Sequence, residues 1–312
     1  MNYLQRIFEK TLDIQEEKYR ELIEQEYDQK NSSLTTTSLD ELLRDKITKP
    51  QVMRNHKSKM LHGSALIDFC PREAYFRKNQ SYDLAVQTIV TSDPIVWLLG
   101  KKIEEYIRDI LIESDENGNL VYGFWRNKHT GVVKQGTKSD LENPEDYIYD
   151  ELDLICPDLE IFAHPDLYIA NNQGKYRIIE IKSLTKDKFA DVVAAGMPVA
   201  VHKKQALHYY KLSKEILEAR YDIPIADELV IIYACRDYLP MNKKHTINDQ
   251  NSFKSYTVNV SPEDLRYLDD TWVKIRSYVD AKKHNRPSTI RVCDSVDCER
   301  AKKCPVVSRC FR

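Results

Sequence analysis

At 312 residues the chain is long enough to bury a substantial core, and its 47 Lys and Arg against 49 Asp and Glu select no class of partner, so charge is informative only locally. No stretch approaches the roughly 18 apolar residues of a membrane span, and the charged residues 1–29 have no signal-peptide pattern, which predicts a soluble, cytoplasmic protein with no membrane partner. Seven cysteines, four of them in the last twenty residues, do not form a secreted disulfide pattern, and thiols crowded in this way suggest metal.

In chain order, Leu4, Phe8, Leu12, Tyr19, Leu22 and Ile23 recur at helical spacing, Ser38 and Glu41 have capping-box spacing ahead of a short helix at 39–45, and 46–59 turns basic. Residues 61–78 predict a helix start carrying Cys70-Pro71-Arg72-Glu73-Ala74-Tyr75. Asp93-Pro94 opens a helix over 95–112, with apolar positions at Leu99, Ile103, Tyr106, Ile107 and Ile110 and with Gly100 four residues before Glu104. Between 114 and 150, Tyr122, Phe124 and Trp125 alternate with Arg126, Lys128 and Lys134. They form either a stacking surface for single strands or a hairpin whose aromatics enter the core. The acidic run 150–158 is expected to enter the first central strand.

The segment 161–183 carries the chemistry. It reads as two strands around a polar turn at 171–174, so Glu180 and Lys182 share one face while Ile179 and Ile181 enter the opposite layer. With Asp166 across the hairpin from Glu180, two carboxylates and an ammonium converge on an oxygen-ligand site for a hard divalent cation, which is chemistry for a phosphodiester. Downstream, 183–204 begins with a short helix and becomes a loop at Gly196 and Pro198. Helical spacing then puts Gln205 beside Tyr209, and Tyr209, Leu212, Ile216 and Ala219 form an apolar stripe. Strands follow at 228–235 and 254–260, and Ser261-Pro262-Glu263-Asp264 starts a helix running to 283. Cys156 and Cys235 read as structural thiols.

In the tail, Cys293, Cys298, Cys304 and Cys310 lack the Cys-x-x-Cys turns of a zinc ribbon, so soft thiolates here suit a [4Fe-4S] cluster, with zinc as the alternative. Residues 281–312 hold nine cations against three acids, a surface along which a polyanion such as DNA could lie.

Taken together, Pro165-Asp166, Glu180-Ile181-Lys182 and Gln205-x-x-x-Tyr209 resemble the PD-(D/E)xK nuclease superfamily in its RecB-like branch. The Cys70 segment and Cys304-Pro305-x-x-x-x-Cys310 are similar to the iron-sulfur members of that branch, among them the CRISPR-associated exonuclease family Cas-four and phage relatives. The resemblance implies an α/β fold with a restriction-endonuclease-like mixed central sheet flanked by helices. An N-terminal helical extension would occupy 1–60, a nuclease core with a helical insert 61–283, and an iron-sulfur tail closing with Cys70 the rest, 284–312.

It further implies Mg²⁺ or Mn²⁺ held by Glu104, Asp166, Glu180 and the main-chain carbonyl of Ile181, Glu104 standing where the family often has His. Lys182 would orient water or stabilise developing charge, and Gln205 would bond a DNA phosphate or the Lys182 region, braced by Tyr209. Because the family's Cys-x-x-Cys is missing, five cysteines compete for four places: Cys70, Cys298, Cys304 and Cys310, with Cys293 the alternate. The implied activity is DNA exonuclease on single-stranded or frayed ends. The alternatives are a CRISPR spacer-processing nuclease with integrase partners and a catalytically weak accessory factor. No helicase P-loop is present, so a helicase, like a recombinase or integrase, would be a separate chain.

Overall fold

A computed structural model of the chain describes residues 60–79, 92–237 and 252–311, excepting the side chains of 78–79 and 92–98. The elements expected over 1–59, and with them the N-terminal extension, lie outside the described residues.

The central layer is a mixed seven-stranded sheet. Its order is β10 (Phe253–Asn259), β9 (Ile225–Cys235), β8 (Tyr176–Leu184), β7 (Leu167–Ala170), β2 (Val121–Asn127) and β3 (Val133–Thr137), with β4 (Tyr147–Asp150) also on β2. β8 and β9 run parallel and the other pairs antiparallel. A parallel pair needs a crossover, supplied here by α3 (Lys186–Ala195) and α4 (Ala200–Ser213). A three-stranded sheet joins β1 (Leu61–His62), β6 (Ile161–Ala163) and β5 (Leu154–Cys156), and α1 (Pro71–Asn79) follows β1.

Strand alternation splits the core in two. Leu167, Ile179, Ile181 and Ala234 pack with Ile103, Ile107 and Ile112 of α2 (Ser92–Glu113), while Tyr168, Ile178, Ile231 and Tyr233 pack with α4 and with α5 (Pro262–Lys283). Helices therefore cover both faces, in the restriction-endonuclease-like arrangement. Helix α5 begins on a capping box in which the Ser261 hydroxyl accepts from the Asp264 N–H and the Asp264 carboxylate accepts from the Ser261 N–H.

Several expectations are corrected. Segment 61–78 holds a strand and a 3₁₀ turn before the helix, which starts at Pro71. Residues 161–163 belong to the small sheet, and the hairpin strand begins at Leu167, since Pro165 has no N–H with which to continue a ladder. The acidic run 150–158 ends β4 and enters the small sheet instead of the central one. On α2, Tyr106 and Ile110 are exposed. Of the two readings of the 114–150 hairpin the core one holds: Trp125 and Tyr122 are buried, the Trp125 Nε1–H donating to the Gly136 carbonyl, and Phe124 packs partly buried against the core. A π turn at Lys214–Glu218 follows α4; its wider winding shifts the apolar face, so Leu217 is buried beside Ile216 while Ala219 is exposed.

Candidate active site

The hairpin register pairs Leu167 with Ile179, which places Asp166, one residue before β7, opposite Glu180. The Asp166 Oδ2 accepts the Ile181 N–H at 2.6 Å. A residue's N–H and C=O point the same way in a strand, so the Ile181 carbonyl also faces the end of β7, where Pro165 offers no donor. Gly100 lets α2 close on β8, because a Cβ there would stand 3.0 Å from the Ser183 Oγ. One turn further on, Glu104 reaches Asp166 and hydrogen-bonds it.

These acids are crowded and dry. Burial, then the Asp166 and Glu151 charges, raises Glu104 to about 8. Burial, then Asp166, raises Glu180 to about 8, and burial also raises Asp166. Lys182 is in ion-pair contact with the Glu180 Oε1. Burial lowers its pKa, but the Glu180 and Asp166 charges outweigh this and hold the ammonium above the usual lysine range. Glu180 is 0 % exposed, and the cation that meets its Oε1 is the Lys182 ammonium. Leaving a buried carboxylate without its cation would cost about 3–5 kcal/mol. Among the described residues no group of three or more His, Cys, Asp or Glu side chains is placed to hold a metal ion as it stands. The hard oxygen donors of Glu104, Asp166 and Glu180 nonetheless suit Mg²⁺ or Mn²⁺.

On α4, the Gln205 Nε2 donates to the Tyr209 hydroxyl at 2.8 Å. Tyr209 is buried, and the charges of Glu180, Asp166 and Glu104 act on its hydroxyl. Its ring fits because Gly63 has no side chain: a Cβ there would lie 2.6 Å from the Tyr209 Cε1.

Two participants escaped the sequence reading. Glu151 adds a fourth acid acting on Glu104 and Asp166, and Arg108, one turn after Glu104, holds it at 2.6 Å. The signal was available: Arg108 lies four residues after Glu104, on the same helix face.

The thiols gather elsewhere. All seven are free. Cys70, just before α1, acts electrostatically on Cys293 and Cys304. Cys293, pushed up to about 11 by burial and then by Cys298, hydrogen-bonds Cys298. Cys298 caps α6 (Glu299–Lys302), and the Ala301 N–H donated to its sulfur at 3.3 Å holds the thiol below its ordinary value. Cys310 ends α7 (Val307–Cys310) and acts on Cys304. The four preferred cysteines and the alternate thus lie at the start of α1 and along the tail, and among the described residues no three of them form a group able to hold a metal ion. Arg72 ties the two together, donating to the carbonyls of Ser288 at 2.9 Å and Cys310 at 2.8 Å, and Arg300 pairs with Glu73 at 3.3 Å. Cys156 and Cys235 are buried elsewhere in the core.

No protein-family model and no curated protein matches the chain. Among solved structures it is similar to an alkaline exonuclease, LHK-Exo, from Laribacter hongkongensis, with 11% identity, 73% of this chain and 90% of that chain covered and a TM-score of 0.39. It is also similar to the protein SSO0001, with 18% identity, coverage of 80% and 87% and a TM-score of 0.37. A phage related exonuclease from Haemophilus somnus 129PT gives 11% identity, coverage of 72% and 96% and a TM-score of 0.34. These scores lie below 0.5, so the functional conclusion rests on the residues themselves.

Proposed function

We propose that the chain is a divalent-metal-dependent DNA nuclease, an exonuclease acting on single-stranded or frayed ends, with a [4Fe-4S] cluster that fastens its tail to α1. The observation that carries this is Glu180, a wholly buried carboxyl paired with the Lys182 ammonium, opposite Asp166 and acted on by the Asp166 and Glu104 charges.

Glu104, Asp166, Glu180 and the Ile181 carbonyl are the residues that would hold Mg²⁺ or Mn²⁺. The ion, when bound, supplies Lewis acidity, lowering the pKa of water and offsetting phosphate charge. Lys182, held beside Glu180, would orient the attacking water or stabilise charge on the phosphate oxygens. Gln205 spends its NH₂ on Tyr209 and is thereby fixed in one rotamer at the site's edge. Arg108 keeps Glu151 from repelling Glu104 at full strength. In the tail, soft thiolates of Cys70, Cys298, Cys304 and Cys310, with Cys293 the alternate, suit the cluster.

The test is digestion of 5′- and 3′-labelled single- and double-stranded DNA with Mg²⁺, Mn²⁺ or EDTA. Metal-dependent shortening from an end, lost in Lys182→Ala, is expected. Wild-type rates in purified Lys182→Ala protein would reject the assignment.

A further inference from the structure

The outward face of the small sheet bears three aromatic rings that the core does not use. In the parallel pairing of β1 with β6, His62 stands beside Phe162, and His164 follows two residues on, pointing to the same side. The rings touch: Phe162 and His164 meet edge to face at 4.2 Å, His62 and Phe162 at 6.2 Å, and His62 and His164 lie 5.8 Å apart, tilted at 41°. Leu61, Ile161 and Ala163 point inward and are buried, whereas Phe162 and His164 are half-buried and His62 is exposed.

The cluster adjoins the active site along the chain from both sides. His164 is two residues from Asp166, and Gly63, next to His62, backs directly onto the Tyr209 ring. One nitrogen of each imidazole is fixed: the His164 Nδ1 pairs with the Asp153 Oδ1 at 2.6 Å, and the His62 Nδ1 meets the Ser64 hydroxyl at 2.9 Å, which holds the rings in place. Ring surface, with the two Nε2 atoms at its edge, is what they offer a partner.

We infer that His62, Phe162 and His164 form a stacking platform for a nucleobase of the single strand whose backbone lies across the carboxylates. This rests on the nuclease reading for the identity of its occupant. Three part-buried rings expose far less than the ~800 Å² per side of a stable protein interface. A nucleobase, by contrast, needs one flat aromatic face and accepts any sequence. The imidazoles are too close to sandwich a base, which takes roughly twice the ~3.4 Å base spacing. The base therefore lies on the outer surface of the cluster.

The experiment measures binding of single-stranded oligonucleotides carrying a terminal 2-aminopurine, in EDTA, so that no cleavage is required. Wild-type protein should quench the base's fluorescence. Phe162→Ala should weaken binding about tenfold and abolish the quench, with Phe162→Trp restoring both and circular dichroism showing an unchanged fold. An oligonucleotide with an abasic terminus should bind wild type and Phe162→Ala equally. A wild-type protein that cleaves DNA while Phe162→Ala and His62→Ala keep full quench and affinity would overturn the platform and leave the nuclease assignment standing. Quench without metal-dependent cleavage would do the reverse.

Discussion

The Asp166 carboxylate accepts the main-chain N–H of Ile181 at 2.6 Å, so one side chain both closes the hairpin and faces the cation site. The two duties separate by substitution. Asp166→Asn keeps an acceptor for that N–H and should fold normally while cleaving at least about 100-fold more slowly. Asp166→Ala strands the N–H and should also lose about 1–3 kcal/mol in urea denaturation. Equal stability of the two variants would show that the bond contributes nothing.

Burial and the Asp166 charge raise Glu180 to about 8, so the folded chain holds a proton that the unfolded chain releases near 4.5, and stability falls as pH rises from about 4.5 towards 8. Glu180→Gln, a neutral isostere, should remove that loss in EDTA yet be inactive. Added Mn²⁺ should raise the melting temperature of wild type alone. A Glu180→Gln protein clearly weaker than wild type in EDTA would contradict the crowding of these acids.

Arg108→Ala leaves Glu151 unpartnered beside Glu104. The added repulsion should cost about 1–3 kcal/mol in stability. It should also alter the Mn²⁺ affinity followed by calorimetry, and removing both charges in Arg108→Ala with Glu151→Gln should recover much of the loss. If the double variant is no better than the single one, the pair acts independently of the acids.

His208 sets a pH limit on the fold. It is 0 % exposed, its ring stacks on Trp272 with centroids 5.9 Å apart, and burial lowers its pKa to about 4. The unfolded chain binds this proton more readily, near 6.5, so stability is complete above that value and falls as pH drops from 6.5 towards 4, by about 3 kcal/mol in all. Urea midpoints across that window check the loss, and His208→Gln should flatten it.

Arg72→Ala removes two bonds to the tail. Iron and sulfide content per chain, with the brown colour of an anaerobic preparation, should fall along with stability. A colourless wild-type protein holding one zinc would replace the cluster altogether.

The placement of the candidate residues was legible in the sequence where it follows strand alternation: Glu180 and Lys182 on one face, Ile179 and Ile181 on the other, and Asp166 across the turn. The pairing of Gln205 with Tyr209 followed equally from helical spacing. Local pattern fails where partners are distant. Nothing near residue 161 shows that it joins β1 a hundred residues earlier, and Trp125 looks the same in sequence whether it meets a base or the Gly136 carbonyl. Glu151 was missed for the same reason, being 43 residues from the Arg108 that holds it, whereas Arg108 itself was legible from its helical spacing to Glu104.

The Arg72 bond to Cys310 spans 238 positions. A ribosome adding about 5–20 residues per second needs roughly 12–48 s to travel that far. Throughout that interval the Arg72 guanidinium has been made while the carbonyl it grips does not yet exist. The nascent chain thus carries α1 without this anchor until Cys310 is added.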